Sequence, residues 1–354
     1  MKKILYSLLA VVVLVLCILL FNTLSLTSKQ VDSEPLEKLV ISDDVYKNLS
    51  KAIQYPTISF SEDAIPDSTA FYGFHQFLQD TYPLIHEQLT LEKVNEYSLL
   101  YTWKGTDQNK KPIILMSHQD VVPVDEPTLN DWEAGPFEGK ITATDIIGRG
   151  TLDDKSSLMA LMEAVELLLK ESFTPSQTIY LAFGHDEEVG GSKGAAKIAA
   201  LLKERGVDAS MTIDEGGFLA DGLVPGIDNT VAIVNLAEKG FASFRLIVET
   251  NGGHSSAPPK ENTIGMLAKA IVDLENNQLP YKLVEPINYQ LGYMGAELPF
   301  MKKVAFANPW LFKKPILEAL NAHTTTAATI IDGGIKNNVI PTVAEATINF
   351  RILP

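Results

Sequence analysis

Four short stretches of the chain carry histidine and carboxylate side chains in a pattern that could hold a pair of metal ions. They read SHQDVVP (117–123), GRGTLDDK (148–155), GHDEEVGG (184–191) and IDEGG (213–217), and GGHSSAPP (252–259) follows further along the chain. Imidazole nitrogens and carboxylate oxygens are common zinc ligands. A paired metal site with an additional carboxylate beside it is suited to the hydrolysis of an amide bond.

The first two stretches each offer a candidate ligand with a neighbouring acid. In SHQDVVP, His118 can bind a metal while Asp120 fixes the imidazole ring from behind. A His-x-Asp spacing also occurs in surface turns. In GRGTLDDK, Asp153 and Asp154 form an acidic pair in a glycine-bearing turn before a predicted helix. Either aspartate could instead cap the amino terminus of that helix.

Glu187 and Glu188 are the more informative pair, because adjacent carboxylates repel each other. The pairing favours one carboxylate as a metal ligand and the other as a general base. The alternative for this motif in isolation is a solvated acidic loop. Asp214 with Glu215 repeats the pattern, and the two glycines that follow allow close approach of the backbone. The four stretches together favour a metal site.

Alternating apolar and helical patterns indicate the elements that position these residues. The sequence predicts helices over Val45–Gln54, Ser68–Asp80, Ser156–Lys170 and Gly194–Glu204. It predicts buried strands over Ser98–Trp103, Ile113–Met116, Thr178–Phe183, Met211–Ile213 and Val231–Leu236. This alternation predicts an α/β layer with a mostly parallel sheet flanked by helices. Ligands gather at the carboxyl ends of such strands, where the acidic residues lie.

The pattern changes after Glu238, so we predict a catalytic domain over 45–238 and a smaller α+β domain over 239–354. The second domain begins with a strand over Phe241–Glu249 and a helix over Asn262–Glu275. Two further strands, Thr326–Asp332 and Ala344–Leu353, precede the last residue, Pro354. The second domain is therefore expected to be incomplete.

The amino terminus is strongly apolar, with 23 uncharged residues over Ile4–Leu26. This length is enough to cross a hydrocarbon core of about 30 Å. The two lysines before it place the amino terminus in the cytoplasm and the catalytic domain outside. We expect a cytoplasmic stub and transmembrane signal anchor over 1–26 and a linker over 27–44. The alternatives are a cleaved signal peptide, which would release a secreted protein, and a lipoprotein cysteine at Cys17.

Charge and cysteine content exclude other classes of function. Cys17 is the single cysteine, which excludes disulfides and cysteine-ligated zinc in the exported part. A net charge of −15 argues against binding of nucleic acid, which requires a basic surface. A solvated acidic surface accounts for most of this charge.

These motifs resemble the zinc-dependent metallopeptidase superfamily of glutamate carboxypeptidase, aminoacylase and carnosinase. The resemblance is strongest to the branch of carboxypeptidase S and N-fatty-acyl-amino-acid synthase/hydrolase. Further stretches that carry it are YPTISFSED (55–63), FGHDEE (183–188), EKG (238–240), GHSSAPPKE (253–261), NPWLF (308–312), NVIP (338–341) and NFR (349–351). The resemblance implies a catalytic domain with an inserted lid/dimerisation domain at 239–354.

The resemblance also implies a role for each matching residue. Two zinc ions would be held by four side chains: His118 and Asp214 on the first ion, Asp153 between the two, and Glu188 on the second. Glu187 would be the general base that moves a proton from water to the leaving amine, and Asp120 would orient His118.

Three residues of the lid would contact the substrate. His254 would polarise the scissile carbonyl, often from a neighbouring subunit, which implies a homodimer through the lid domain. Asn338 and Arg351 would hold the substrate carboxylate, with the guanidinium forming directional hydrogen bonds. The alternative for Arg351 is a salt bridge at a strand end.

One implied residue has no counterpart, since the family's last zinc ligand is a histidine after the lid. Past His254 the sequence has only His323, which precedes NVIP and does not match that ligand. We therefore expect a C-terminally truncated version, whose second zinc site lacks its C-terminal histidine and binds weakly. His75, His86 and His185 are interpreted as packing or surface residues.

The leading hypothesis is a membrane-anchored, outward-facing dizinc hydrolase. It would cleave an amide bond next to a free carboxylate, as a carboxypeptidase does. The first alternative is an N-acyl-amino-acid amidohydrolase or synthase, because the sequence does not separate peptide from N-acyl amino acid substrates. The second alternative is a truncated, inactive module that binds or anchors.

Overall fold

The structure is a computed structural model that describes residues 2–31 and 40–354. It divides into two compact units. The first unit contains residues 40–216, and the second unit contains residues 2–31 and 217–354. The helices of the described residues are α1 (Lys2–Ser25), α2 (Asp43–Ile53), α3 (Ser68–Thr81), α4 (Pro83–Gln88), α5 (Lys155–Lys170), α6 (Ala195–Glu204), α7 (Thr263–Asn276), α8 (Glu285–Met294), α9 (Phe300–Ala307) and α10 (Pro309–Ala319).

The strands belong to five separate sheets or ribbons within the described residues. They are β1 (Thr90–Val94), β2 (Ser98–Trp103), β3 (Ile113–His118), β4 (Lys140–Ile141), β5 (Ile146–Ile147), β6 (Ile179–Gly184), β7 (Met211–Ile213), β8 (Phe218–Ala220), β9 (Val231–Ile233), β10 (Gly240–Glu249), β11 (Gly253–His254), β12 (Thr325–Gly333), β13 (Val339–Ile340) and β14 (Val343–Ile352).

The central sheet of the first unit has the order β1-β2-β6-β3-β7. Strand β3 runs parallel to β6 and β7, whereas β1, β2 and β6 pair in antiparallel fashion. The prediction of a mostly parallel sheet was therefore wrong, and the sheet is mixed. The tight connection between β1 and β2 explains the difference. Asn95 and Glu96 both have positive φ there (48° and 71°), as expected in a short hairpin turn.

Side chains of the central strands alternate between two cores, one on each face of the sheet. On β2, Leu99, Tyr101 and Trp103 pack with residues of α3, α4 and α5. Leu100 points the other way and packs with Ile198 of α6. Burial on both faces explains why these strands read as nearly continuous apolar runs in the sequence.

Phe74 of α3 is fully buried in the larger core, and its removal should test how much that core stabilises the first unit. We expect Phe74→Ala to lower the free energy of unfolding by about 3–5 kcal/mol, because it removes a buried ring and leaves a cavity. Urea unfolding measures this change. Phe60→Ala is the matched control, since Phe60 is 68% exposed and its replacement should have little effect. Equal losses for the two variants would contradict the described packing.

The second unit contains a three-stranded antiparallel sheet, β10-β14-β12. Helix α7 packs on this sheet through Leu267, which contacts Ala344, Ala346 and Ile348 of β14. Helices α8 and α10 form a separate small core around Leu291. The four elements predicted after Glu238 are confirmed as β10, α7, β12 and β14.

Two sequence predictions about the remaining elements have different outcomes. The predicted burial of Met211–Ile213 and Val231–Leu236 was wrong. Strand β7 is exposed, and β9 ends at Ile233, pairs with β8 and is half-buried or exposed. The apolar amino terminus forms α1, a 24-residue helix that by length and composition is able to cross a membrane. Residues 32–39 of the predicted linker lie outside the described residues.

Candidate metal centre

Three strands of the central sheet deliver the candidate ligands to one edge. Strands β3, β6 and β7 run in the same direction, so their carboxyl ends meet there. His118 is the last residue of β3, Glu187 and Glu188 lie in a turn just after β6, and Glu215 follows β7. Asp153 joins them from the turn before α5. His118, Asp153, Glu187 and Glu188 thus lie together within the first unit, and Glu215 joins them where Asp214 was expected.

The Nε2 atom of His118 lies at the centre of the cluster. It is 2.9 Å from Oδ1 of Asp153, 3.6 Å from Oε2 of Glu215 and 3.9 Å from Oε2 of Glu187. In the described part of the chain, two groups of donors lie within 4.8 Å of one another: His118, Glu187 and Glu215, and His118, Asp153 and Glu188. Both groups share the buried histidine.

The other ring nitrogen of His118 sets the tautomer. Nδ1 lies 2.9 Å from the backbone carbonyl oxygen of Asp120 and 3.4 Å from its carboxylate. Since a carbonyl oxygen accepts, Nδ1 must carry the proton and donate. Burial by itself would lower the pKa of His118, but the nearby carboxylates of Asp120 and Glu215 raise it to about 12, so the metal-free ring is charged. A bound metal would replace the proton on Nε2, which faces the carboxylates.

The Asp120 carboxylate has a second task that sequence reasoning missed. Its two oxygens accept hydrogen bonds from the backbone N–H groups of Glu187 (3.0 Å) and Glu188 (3.1 Å). Burial by itself would raise the pKa of Asp120, but the hydrogen bond and charge of His118 bring that pKa below its usual range. The carboxylate therefore stays ionised and fixes the turn that carries both glutamates.

The turn before α5 presents Asp153 while the two residues that follow it are buried. Asp154 occupies the N-cap position of α5, but its side chain accepts a 2.6 Å hydrogen bond from Oγ of Ser117 and does not cap the helix. Lys155 is fully buried and donates to two backbone carbonyl oxygens near the end of α2, at 3.0 and 2.6 Å. Asp153 itself stays 63% exposed at the mouth of the cluster.

The carboxylates of Asp214 and Glu215, which follow β7, have different partners. Asp214 is exposed, and its Oδ1 accepts the backbone N–H of Glu215 at 3.0 Å. Glu215 turns towards His118, and the nearby imidazole lowers the pKa of Glu215 below its usual range. Glu215 is a site residue that sequence reasoning missed, because adjacent acids give no sign of which one faces inward.

The crowded carboxylates fit a divalent cation. Burial raises the pKa of Glu187, and it raises the pKa of Glu188 to about 7 with the help of the nearby Asp153 charge. Carboxylates held this close disfavour each other's charge unless a cation lies between them. Imidazole and carboxylate donors together are a set that suits zinc.

Zinc affinity of this cluster is expected to fall as the pH drops below about 7. A carboxyl group with a raised pKa keeps its proton up to that pH, and the protonated group cannot bind the ion. The proton on Glu188 should add about tenfold per pH unit to the loss that the proton on His118 already causes. Competition with a zinc-binding dye at several pH values measures the change. An affinity that stays constant through this range would contradict the arrangement.

Within the second unit, the structure brings two of the three predicted substrate contacts together. His254 lies on β11, and its Nε2 is 3.4 Å from Nδ2 of Asn338. The other ring nitrogen of His254 is 2.9 Å from Oγ of Ser256. Arg351 lies on β14, and its guanidinium is 5.9 Å from the centre of the Phe241 ring.

The histidines interpreted as packing residues have local partners in the first unit. Nε2 of His75 donates to Oε1 of Gln119 at 2.8 Å, and Nδ1 of His185 is 2.6 Å from Oγ of Ser98. Nδ1 of His86 lies 2.9 Å from the backbone oxygen of Tyr82, and Nε2 lies 3.1 Å from the hydroxyl of Tyr101. Burial lowers the pKa of His75 to about 4, so this ring is neutral at pH 7.

The chain belongs to peptidase family M20/M25/M40, whose profile matches residues 114–327. It is 42% identical over 360 residues to the probable carboxypeptidase S-like 2 of Dictyostelium discoideum, an alignment that covers 96% of this chain and 69% of that protein. It is also 42% identical over 318 residues to the N-fatty-acyl-amino acid synthase/hydrolase PM20D1 of Mus musculus, covering 86% of this chain and 62% of the relative.

A solved structure supports the same fold. The M20 family metallo-carboxypeptidase Sso-CP2 from Sulfolobus solfataricus superposes with a TM-score of 0.62 at 21% identity. The superposition covers 88% of this chain and 72% of that one. At this identity the likeness concerns the fold alone. The chain spans 62% of the length of the mammalian relatives that it matches.

Proposed function

We propose that the first unit holds two zinc ions and that the protein hydrolyses an amide bond next to a free carboxylate. The observation that carries this proposal is the convergence of four carboxylates on Nε2 of the buried His118. One ion would bind His118 and Glu215, and the other would bind Glu188, with Asp153 between them. Glu215 takes the place that the sequence assigned to Asp214, because only Glu215 turns towards His118.

Bound zinc polarises a carbonyl group and makes water more acidic. The remaining chemistry belongs to side chains of this chain. Glu187 is half-exposed at the mouth of the cluster, and burial raises its pKa towards the range of an effective general base. Its carboxylate takes a proton from water and delivers it to the leaving amine nitrogen. Asp120 holds the Glu187 backbone in place for this transfer.

The second unit would supply the contacts that select the substrate. We propose that it is a lid and dimerisation domain in which His254 polarises the scissile carbonyl. Asn338 and Arg351 hold the substrate carboxylate by hydrogen bonds. The hydrogen bond between His254 and Asn338 supports a shared role for these two side chains.

The substrate is a peptide, or alternatively an N-acyl amino acid. The relatives support both, since one is named a carboxypeptidase S-like protein and another an N-fatty-acyl-amino acid synthase/hydrolase. Both substrate classes share an amide bond next to a free carboxylate. A carboxypeptidase-type reaction on peptides is the leading proposal.

A substrate panel tests this proposal. Zinc-loaded protein is offered dipeptides, long-chain N-acyl amino acids and the amidated form of each. We expect turnover of the free acids only, and loss of turnover after zinc is removed with a chelator. Equal turnover of the amidated forms would contradict carboxylate recognition, and turnover that survives chelation would contradict the metal.

We also propose that α1 anchors the protein in a membrane, with both units on the extracytoplasmic side. The helix is 24 residues long, and most of its apolar side chains are exposed. The two lysines before the apolar run support this orientation under the positive-inside rule.

A further inference from the structure

The carboxyl end of α1 packs on the junction of α9 and α10 through a buried asparagine. Nδ2 of Asn308 donates to the backbone oxygen of Leu19 at 3.2 Å and to Oγ1 of Thr23 at 3.4 Å. Oδ1 of Asn308 accepts from Nδ2 of Asn22 at 2.9 Å. Asn308 and Thr23 are almost completely buried, at 0% and 1% exposure. These contacts fix which level of α1 lies beside the junction.

That level lies inside the apolar part of the helix. Leu19 precedes Asn22 by three residues, about 4.5 Å along the helix axis. The residues after α1 run beside α8. Nε2 of Gln30 donates to the backbone oxygen of Tyr293, and the ammonium group of Lys29 lies over the Tyr293 ring. If α1 spans a bilayer, the groups beside Leu19 must lie at the level of the head groups or the outermost acyl chains.

Two apolar side chains at the junction are exposed at this level. Trp310 is 56% exposed and Leu311 is 49% exposed. Nε1 of Trp310 donates to Oδ1 of Asn308 at 3.2 Å, so the indole is tied to the same side chain that contacts α1. An indole with its N–H bonded and its ring exposed is suited to a membrane interface, where tryptophan is enriched.

The charge of the helix pair points to the same environment. Residues 300–319 contain four lysines and one glutamate, a net charge of +3, although the whole chain carries −15. Lysines are attracted to anionic head groups, so this segment suits a leaflet that contains anionic lipid. The exposed side chains of Trp310 and Leu311 thus lie within a basic segment, residues 300–319.

We propose that the junction of α9 and α10, with Trp310 and Leu311 at its tip, contacts the outer leaflet of the bilayer in which α1 is anchored. This inference rests on the proposed anchor. Lipid is the occupant of the exposed apolar surface, because Trp310 is bonded to the same Asn308 that contacts α1. On the side of α1 away from the junction, Phe21 and Leu24 are 71% and 70% exposed. The contact holds the second unit against the membrane surface.

Tryptophan fluorescence in brominated lipid tests the contact, because the chain has only three tryptophans. The full-length protein is reconstituted into vesicles of phosphatidylcholine and phosphatidylglycerol, with the phosphatidylcholine brominated either near the head group or near the chain end. Bromine near the head group should remove roughly a third of the emission, the share of one tryptophan among three. Bromine near the chain end should remove less.

Two conservative variants assign the quenching. Trp310→Phe should abolish the loss of emission, and Trp132→Phe, a matched change in the first unit, should retain it. Quenching that persists in Trp310→Phe would overturn the inference. A second outcome would also overturn it. If lipid bromine does not quench Trp310, and Trp310 becomes protected from a soluble quencher as the protein concentration rises, a second copy of the chain covers the surface instead of lipid.

Alkaline extraction of the same vesicles separates this inference from the anchor. Protein that resists extraction but shows no quenching of Trp310 overturns the lipid contact and leaves the anchor intact. Protein that is released by alkali overturns both.

Discussion

Replacing Glu187 by glutamine is expected to lower kcat for amide hydrolysis by about 10²–10⁴-fold, the usual contribution of a general base. The amide cannot accept the proton that the carboxylate takes from water. The variant should fold normally, because the Glu187 side chain is about half-exposed and the backbone N–H that Asp120 binds is unchanged. Steady-state kinetics on the substrates of the panel measure the loss.

Measuring the zinc content of the variant shows whether the substitution removed a general base or a metal ligand. We expect Glu187→Gln to keep the zinc content of the unchanged protein, since the proposed ligands are all present. Glu171→Gln, an exposed substitution at the end of α5, is the matched control and should leave kcat unchanged. Residual turnover within a factor of about three of the unchanged protein would contradict the assignment of Glu187 as the base.

Glu215→Gln is expected to weaken zinc binding far more than Asp214→Asn does. Replacing a residue that only hydrogen-bonds to a metal ligand lowers metal affinity by up to about 100-fold. Replacing a ligand itself should therefore lower the zinc affinity by more than about 100-fold. Asp214→Asn should lower it by no more than about tenfold, because the Asp214 carboxylate accepts a backbone N–H instead of facing His118. The two substitutions are adjacent and chemically matched, so each controls for the other.

The zinc affinity of both variants is measured by competition with a chelator of known affinity. Thermal unfolding without zinc shows whether either substitution damages the fold. If Asp214→Asn loses zinc and Glu215→Gln keeps it, the ligand assignment drawn from the structure is wrong and the one drawn from the sequence stands.

The sequence predicted four strands of the central sheet because each is a short apolar run, although β7 is exposed in the structure. β2, β3, β6 and β7 each lie within about two residues of the predicted bounds. Strand direction could not be predicted in the same way. A hairpin between β1 and β2 depends on positive φ at Asn95 and Glu96, and β1 itself, with its charged and half-exposed residues, gave no apolar run.

The helices of the second unit show a similar limit. The stretch NPWLF was noticed only as a motif, although it contains the buried Asn308 and begins α10. The prolines at 309 and 315 and the non-helical backbone at Phe312 hide the helical pattern. The contacts between Asn308 and α1 span 285 or more residues and leave no local signal.

The sequence predicted which kinds of residue could bind a metal, but it did not predict which side chains contact each other. His118, Asp153, Glu187 and Glu188 lie close together because they follow parallel strands or a turn at the same edge of the sheet. The choice between Asp214 and Glu215 depends on the direction in which one backbone turn points each side chain. The double hydrogen bond from Asp120 to the Glu187 turn likewise arises only when two strand ends meet.

X-ray anomalous scattering at the zinc absorption edge, from crystals of the zinc-loaded protein, tests the central claim most directly. We expect two peaks among Asp153, Glu188 and Glu215, one of them about 2.0–2.1 Å from Nε2 of His118. Peaks located elsewhere, or zinc-loaded crystals with no peak within bonding distance of His118, would contradict the proposed metal centre.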